Sequence, residues 1–272
     1  MAPGVRAAYI GHDMTPSDPP REPAAAETAV PFGERDVPAV AKAGLVRQVF
    51  DSVAARYDLM NDLLSLGVHR FWKATMVDAL APRAGMTIVD VASGTGDIAM
   101  RVHDRTHGGA RIVVCDINHS MLVAGQDRAM DRGILQGPTR VAGDAEALPF
   151  GDRSFDAYTI AFGLRNVTDM DRALREAHRV LKPGGRFLCL EFSKVGAPLL
   201  ARLYDTYSAA VLPTLGGLVA GDREAYRYLH ESIRRHPPQP TLAAMMTAAG
   251  LARATWRDMS GGIVALHSGW RI

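Results

Sequence analysis

The most constraining feature of the sequence is a short apolar strand that runs into a glycine-rich turn and then into a helix. Residues Ile88 to Asp97 read IVDVASGTGD, so Gly94, Thr95 and Gly96 follow the strand directly. Glycines permit positive φ in a tight turn and let backbone N–H groups approach a ligand closely. Asp116 ends the second predicted strand about 20 residues further on, where a carboxylate can accept both ribose hydroxyls of a nucleotide. The spacing predicts a βαβ unit that binds an adenosine-containing cofactor.

Beyond this unit, strand-like runs alternate with amphipathic helical patterns. The helix before the fifth run has Asp169 as a candidate N-cap, an apolar face from Ala173 to Leu181, and Pro183 just after its end. Strands that alternate with helices predict a parallel sheet with helices on both faces. The expected strands are Thr87–Ala92, Arg111–Asp116, Thr139–Gly143, Phe155–Phe162, Arg186–Phe192, Ala254–Met259 and Gly262–His267.

Composition restricts the partners and the compartment. The 272 residues carry a net charge of +2, so no strong field attracts nucleic acid and no nucleic-acid partner is expected. Cys115 and Cys189 both lie inside apolar runs, which excludes a disulfide framework and favours a reducing, cytoplasmic compartment. No run is long and apolar enough to span a bilayer. No cluster of His, Cys and carboxylate residues has metal-ligand spacing, so no metal is expected.

The sequence divides into an arm and one α/β domain. Residues 1–42 contain seven of the 16 prolines and no apolar periodicity, which predicts a disordered arm. Apolar residues at helical spacing begin after Ala43, so residues 43–272 are the predicted domain and residues 43–80 its N-terminal helical cap. The alternation of strands and helices stops between Lys194 and Pro240. We interpret residues 194–240 as an insertion that covers the substrate.

Two further acidic residues bear on the identity of the cofactor. The spacing of the glycine turn also suits NAD, but Asp90 at the tip of the first strand would repel a pyrophosphate and would accept an ammonium or hydroxyl groups. Asp144 and Ala145 follow the third strand, where a polar group can meet an adenine edge. These features favour S-adenosylmethionine. Capping of the following turns remains the alternative role for Asp90 and Asp144.

Five separated segments carry recognisable motifs: Tyr57–Trp72 (YD-x-MN, then Ser65, His69 and Trp72), Phe162–Asp169, Arg179–Ser193, Tyr226–Pro237 and Gly261–Trp270. Together they resemble one family, the UbiE-type ubiquinone/menaquinone biosynthesis C-methyltransferases. The chain from about Ala43 onwards is similar to these class I S-adenosylmethionine-dependent enzymes. The similarity implies a Rossmann-like class I methyltransferase fold, with a seven-stranded, mostly parallel sheet and an antiparallel last strand.

The resemblance also implies where the cofactor binds. The family's contacts fall on Thr95, Asp116 and the pair Asp144 and Ala145, while Ala161 stands where the family often has serine. Asp97 is a candidate for binding the methionine ammonium or acting on the substrate, and capping of the helix is its alternative role. The expected cofactor-binding residues are therefore Asp90, Gly94, Thr95, Gly96, Asp97, Asp116, Asp144, Ala145 and Ala161.

The implied reaction forms a C–CH₃ bond on a polyprenylated quinol that lacks one ring methyl. The ring carbon is nucleophilic only when its hydroxyl ionises, and with a phenol-like pKa of about 10 this costs about 4 kcal/mol at pH 7. We expect Arg165 to stabilise the developing phenolate and Asn166 to fix the quinol oxygen, because both follow strand four directly. Tyr57 and His69 are candidates for the proton path. A solvated Arg165 and a structural His69 remain alternatives.

The insertion supplies an expected surface for the isoprenoid tail, formed by apolar residues between Tyr204 and Val219. Since such a tail resides in the bilayer, we expect peripheral contact with the inner face of the cytoplasmic membrane. A homodimer or a quinone-biosynthetic complex stays open, as does the choice between benzoquinol and naphthoquinol. Two other functions stay open as well, namely an NAD-dependent oxidoreductase and a non-catalytic member of such a complex.

Overall fold

A computed structural model of the chain describes residues 28–53, 65, 67–134, 137–195 and 223–272. Within these ranges the main sheet has seven strands: β3 (Thr87–Val91), β4 (Arg111–Asp116), β5 (Thr139–Ala142), β6 (Phe155–Ala161), β7 (Leu181–Phe192), β8 (Ala252–Met259) and β9 (Val264–Trp270). Their order across the sheet is β5-β4-β3-β6-β7-β9-β8. Neighbours pair in parallel from β5 to β7, and β9 runs antiparallel to both β7 and β8. The predicted fold class and the antiparallel last strand are confirmed.

Helices cover both faces of this sheet and bury one hydrophobic cluster on each. The cluster on one face is formed in part by α2 (Val68–Leu80), α3 (Asp97–Thr106) and α4 (His119–Asp131). The cluster on the other face is formed in part by α5 (Met170–Val180) and α7 (Gln239–Ala248). None of the described helices is long and apolar enough to cross a membrane.

Helix α5 shows how local sequence sets an element. The side chain of Asp169 accepts a hydrogen bond from the backbone N–H of Arg172 at 2.9 Å, which satisfies one of the free donors at the helix start. The residues predicted for the apolar face are buried in the sheet-facing cluster, and burying a side chain such as Leu174 contributes about 1.5–3 kcal/mol. The helix ends at Val180, just before Pro183, as expected.

The segment after this helix differs from the prediction. The sequence predicts that the fifth strand begins at Arg186, whereas β7 already begins at Leu181. Leu181 pairs with Phe155, and an irregularity then shifts the register so that Arg186 pairs with Ala157. Two backbone hydrogen bonds join this stretch to Arg271: Gly184 donates to its carbonyl at 2.7 Å, and its N–H donates to Gly185 at 3.0 Å. Pairing with Phe155 and Arg271 therefore extends β7 through residues that are locally typical of a turn.

The first described elements lie inside the segment that the sequence assigns to a disordered arm. Residues inside the predicted arm form a hairpin of β1 (Ala29–Phe32) and β2 (Arg35–Pro38), followed by α1 (Ala39–Val53). The hairpin packs on α6 (Arg223–Arg235), where Phe32 stacks on Tyr228 with ring centroids 4.6 Å apart. The N–H of Glu34 donates to Glu231 at 3.0 Å. These contacts span about 200 positions of sequence, so composition could not reveal them; residues 1–27 lie outside the described ranges.

Replacing Phe32 with alanine tests whether the hairpin is part of the folded unit. Because the ring is buried against Tyr228, we expect Phe32→Ala to lower the free energy of unfolding by about 3 kcal/mol in a urea titration. Val40→Ala is the matched control, since Val40 is 68 % exposed in the same segment and should cost less than about 0.5 kcal/mol. Equal effects of the two substitutions would show that the hairpin is not docked.

Candidate active site

The carboxyl ends of β3, β4, β5 and β6 meet around a cavity, which is the place where open α/β sheets bind their ligands. Strand β3 lies between β4 and β6, so successive connections leave it in opposite directions and open a crevice at its end. Helix α1 contributes Ala43, Val46 and Arg47 to the opposite wall. The lining includes eight of the predicted cofactor residues, namely Asp90, Gly94, Thr95, Asp97, Asp116, Asp144, Ala145 and Ala161.

Asp116 connects the glycine turn to the start of α4. Its Oδ2 accepts the backbone N–H of Gly94 at 2.7 Å, and its Oδ1 accepts the backbone N–H of Asn118 at 2.8 Å. Burial raises the pKa of this carboxyl above its ordinary value, and the two N–H bonds oppose that rise. Each carboxylate oxygen retains a further acceptor position, which is what a pair of ribose hydroxyls requires.

The glycine turn is itself supported from below by α4. Gly125 in α4 faces the turn so closely that a Cβ on it would lie 2.5 Å from the carbonyl oxygen of Thr95. The turn needs left-handed backbone at Gly94 and Gly96, with φ of 54° and 79°. The sequence analysis missed Gly125, although an isolated glycine inside a helical pattern is a signal of close packing.

Asp90 provides a buried carboxylate oxygen that lacks a partner. Its Oδ1 accepts the hydroxyl of Thr159 at 2.7 Å, while its Oδ2 has no hydrogen-bond partner. Burial raises the pKa of Asp90 to about 7, against the opposing effect of the Thr159 hydrogen bond. A buried acceptor without a donor at the cavity wall fits a ligand that brings an ammonium or a hydroxyl. The residues present therefore fit S-adenosylmethionine at this sheet edge.

Asp97 is held by two cations. Its Oδ2 accepts from Lys73 at 2.8 Å and its Oδ1 accepts from Arg101 at 3.0 Å. Burial by itself raises the pKa of this carboxyl, but Lys73 and Arg101 outweigh burial and hold the pKa below its usual value. Asp97 is thus ionised at neutral pH and lines the cavity together with Lys73. Lys73 was not predicted, since it lies on α2, 24 positions away in sequence.

The position of Asp144 is compatible with both of its predicted roles, contact with the adenine and capping of the following turn. It lines the cavity beside Ala145, and its Oδ1 also accepts the backbone N–H of Glu146 at 2.9 Å, which is the turn-capping alternative. Gly96, the ninth predicted cofactor residue, does not line this cavity; it lines a small second pocket together with Val114 and Gly125.

The ends of β3 and β6 carry backbone strain. Ala92 and Phe162 follow these two strands and adopt left-handed backbone, with φ of 48° and 57°, although neither is a glycine. Such conformations cost about 1–3 kcal/mol each and are concentrated at functional sites. Gly163 lets the two ends approach, since a Cβ on it would lie 2.4 Å from the Cβ of Ala92. Ala92, Phe162 and Gly163 all line the cavity.

The turn after β6 holds two of the residues predicted to act on the substrate. Arg165 is buried: its Nη1 lies 3.1 Å from both carboxylate oxygens of Glu191 and also donates to the carbonyl of Phe162. It is not solvated, and it is not among the residues that line the cavity. Asn166 does line the cavity, and its Oδ1 accepts the hydroxyl of Tyr228 at 3.1 Å.

Of the other two predicted residues, His69 is described by the structure and does not line this cavity. His69 is buried on α2, and its Nδ1 lies 2.8 Å from the hydroxyl of Ser65, which agrees with the alternative of a hydrogen-bonded structural histidine. Tyr57 lies outside the described residues, as does the predicted tail surface between Tyr204 and Val219.

Comparison with known proteins shows a family and several relatives to which the chain is similar. The family model described as the ubiE/COQ5 methyltransferase family matches residues 38–271. A ubiquinone/menaquinone biosynthesis C-methyltransferase of Bradyrhizobium diazoefficiens is 56 % identical over 244 residues, covering 89 % of this chain and 96 % of the relative. The mitochondrial 2-methoxy-6-polyprenyl-1,4-benzoquinol methylase of Rattus norvegicus is 46 % identical over 303 aligned positions, covering 99 % and 92 %.

Solved structures with the same fold are more distant. A SAM-dependent methyltransferase of Aquifex aeolicus is 14 % identical with a TM-score of 0.53, covering 74 % of this chain and 89 % of that one. The [4+2]-cyclase SpnF is 22 % identical with a TM-score of 0.59, covering 87 % and 80 %. At these identities the likeness concerns the fold alone.

The close contact of Gly125 predicts a selective loss of cofactor binding. In Gly125→Ala the new methyl must displace the Thr95 carbonyl and hence the glycine turn, so the Kd for S-adenosylmethionine should rise about tenfold in calorimetric titration. Gly44→Ala is the matched control, since a Cβ there meets nothing within 4 Å. An unchanged Kd in Gly125→Ala would contradict the role assigned to this contact.

The raised pKa of Asp90 predicts how the stability of the cofactor-free protein depends on pH. The folded carboxyl holds its proton up to about pH 7, whereas the unfolded one loses it near 3.8, so this group destabilises the fold as pH rises through that window. Asp90→Asn should therefore stabilise the protein more at pH 8 than at pH 5, as measured by urea unfolding. The exposed Asp171→Asn controls for the change in net charge. A pH-independent gain in Asp90→Asn would contradict the assignment.

Proposed function

The chain belongs to the ubiE/COQ5 methyltransferase family, and we propose that it methylates a ring carbon of a demethylated polyprenyl quinol. Family membership makes it an S-adenosylmethionine-dependent C-methyltransferase of quinone biosynthesis. The acceptor is taken from the names of the relatives and from the chemistry of the cavity. An oxidoreductase that uses NAD is therefore no longer a competing function.

One observation carries the assignment of the cofactor site: the cavity at the sheet edge is lined by Asp116, which is bonded to the glycine turn, and by Asp90, whose buried Oδ2 has no hydrogen-bond partner. We assign Asp116 to the ribose hydroxyls, Asp144 and Ala145 to the adenine, and Asp90 and Asp97 to the methionine portion. When bound, S-adenosylmethionine supplies an electrophilic methyl group on a sulfonium. The carboxylates around it favour that positive charge over the neutral product.

The remaining task of the site is to make the quinol carbon nucleophilic. Ionisation of a phenol with a pKa of about 10 costs about 4 kcal/mol at pH 7, and a single well-placed N–H donor can supply about 3 to 4 kcal/mol to a developing oxyanion. Asn166 is the amide at the cavity wall that is placed for this, because it follows β6 directly. We propose that its side chain fixes the quinol oxygen.

Arg165 acts in this proposal through a hydrogen bond rather than as a free cation. Its ion pair with Glu191 is nearly neutral, and replacing either partner alone would leave a buried charge. The guanidinium Nε is buried and has no acceptor in the described structure. Because Arg165 does not line the cavity, that N–H could reach the substrate oxygen only through a water, and direct stabilisation of the phenolate by Arg165 stays a prediction.

The substrate's tail and the predicted insertion suggest where the enzyme works. An isoprenoid tail partitions into the bilayer, so we propose peripheral membrane contact, with the insertion over residues 194–240 receiving the tail. The described end of this insertion already reaches the cavity wall, since Tyr228 of α6 contacts Asn166. Association with a second copy or with other enzymes of quinone biosynthesis remains a proposal of the same kind.

Methyl transfer from labelled S-adenosylmethionine tests the proposed function directly. We expect label in 2-methoxy-6-polyprenyl-1,4-benzoquinol, the acceptor in the name of the rat relative, measured after extraction of the quinone fraction; a demethylated naphthoquinol is the parallel arm. The oxidised quinones are the controls and should accept no label, because they cannot form a phenolate. Equal labelling of oxidised and reduced acceptors would refute the phenolate mechanism, and labelling of neither quinol would refute the acceptor class. In the second case, cofactor binding without transfer would favour a non-catalytic role.

A further inference from the structure

The side-chain amide of Asn166 has a defined orientation because one of its two neighbours, the carbonyl of Phe162, can only accept a hydrogen bond, while the other, the hydroxyl of Tyr228, can donate one. Its Nδ2 lies 3.5 Å from the carbonyl oxygen of Phe162, which can only accept a hydrogen bond. The amide oxygen Oδ1 then lies on the other side, 3.1 Å from the hydroxyl of Tyr228. With the oxygen occupied and one N–H directed at Phe162, the second N–H of the amide is left for an oxygen in the cavity that Asn166 lines.

Tyr228 is itself held firmly in place. It lies on α6, is only 6 % exposed, and stacks on Phe32 of the N-terminal hairpin with an interplanar angle of 29°. Burial raises the pKa of its phenol to about 12, so the hydroxyl keeps its proton at neutral pH and donates it to the amide oxygen. The contact joins residues 62 positions apart in sequence.

We propose that Tyr228 is a positioning residue for methyl transfer: it locks Asn166 as an N–H donor toward the quinol oxygen. This inference rests on the proposed function. In the opposite orientation the amide would present its own carbonyl oxygen to the developing phenolate, and the two negative ends would repel. Because a hydroxyl can donate or accept, the acceptor-only carbonyl of Phe162 sets this orientation, and the hydroxyl of Tyr228 holds the amide in it by donating to Oδ1.

The position of Tyr228 explains why a residue remote in sequence controls this amide. The turn that carries Asn166 is short, and its other side chain, Arg165, is already engaged by Glu191 of β7. Within that turn nothing else in the described structure bonds to the amide oxygen. Helix α6 supplies the missing donor from the end of the insertion, together with the hairpin on which it packs.

Tyr228→Phe removes the hydroxyl and keeps the ring that stacks on Phe32. We expect kcat for quinol methylation to fall about tenfold, while the Kd for S-adenosylmethionine changes less than about twofold and the unfolding midpoint is nearly retained. Tyr158→Phe is the matched control, because Tyr158 is equally buried but lies in the sheet and is absent from the cavity wall.

A double-mutant cycle separates positioning from a general structural role. If Tyr228 acts only through Asn166, then Tyr228→Phe should cause no further loss of kcat in an Asn166→Ala background. Asn166→Asp tests the donor itself: it keeps an acceptor for the Tyr228 hydroxyl but has no N–H, so it should lose as much activity as Asn166→Ala.

The outcomes separate this inference from the proposed function. Wild-type enzyme that methylates the quinol, together with full activity in Tyr228→Phe, overturns the positioning role alone. The same holds if the losses in Tyr228→Phe and Asn166→Ala multiply in the double variant. Wild-type enzyme that binds cofactor but transfers no methyl to either quinol overturns the proposed function, and the inference falls with it.

Discussion

The carboxylate of Asp116 is the interaction on which the cofactor site depends. One of its oxygens binds the backbone of the glycine turn after β3, and the other binds the backbone at the start of α4. Burying a carboxylate is costly unless its oxygens are hydrogen-bonded, so both turns must be correctly formed for this group to remain ionised. Because Gly125 of the same helix packs on the Thr95 carbonyl, the turn, the carboxylate and α4 form one rigid unit.

A second group of interactions fixes the turn after β6. Glu191 holds Arg165, Tyr228 holds Asn166, and Lys42 of α1 donates to the carbonyl of Val167 at 2.7 Å. These contacts come from β7, α6 and α1, so three separate parts of the chain set the geometry of one short turn. A buried ion pair adds little net stability, and its value here is to define a single arrangement. The cofactor side and the substrate side of the cavity are therefore braced independently.

The sequence revealed the features that depend on neighbouring residues. The glycine turn, the Asp116 position, the helix capped by Asp169 and the strands of the sheet follow from apolar periodicity, glycine placement and capping residues along the chain. Lys73, Glu191 and Tyr228 were missed because each reaches its partner across the fold, and nothing local marks a lysine or tyrosine as a partner. The hairpin at residues 29–38 was assigned to the arm for the same reason: its apolar residues are few and are buried only by packing against α1 and α6. The alternative of a solvated Arg165 is wrong for the same reason, since its partner Glu191 is on another strand.

Equilibrium binding of S-adenosylmethionine and NADH to the purified protein, with Asp116→Ala as the comparison, tests the central claim most directly. The structure predicts saturable binding of S-adenosylmethionine to the wild-type protein, no comparable binding of NADH, and a loss of at least tenfold in affinity when the carboxylate is removed. Tight binding of NADH, or unchanged affinity for S-adenosylmethionine in a folded Asp116→Ala variant, would contradict the account.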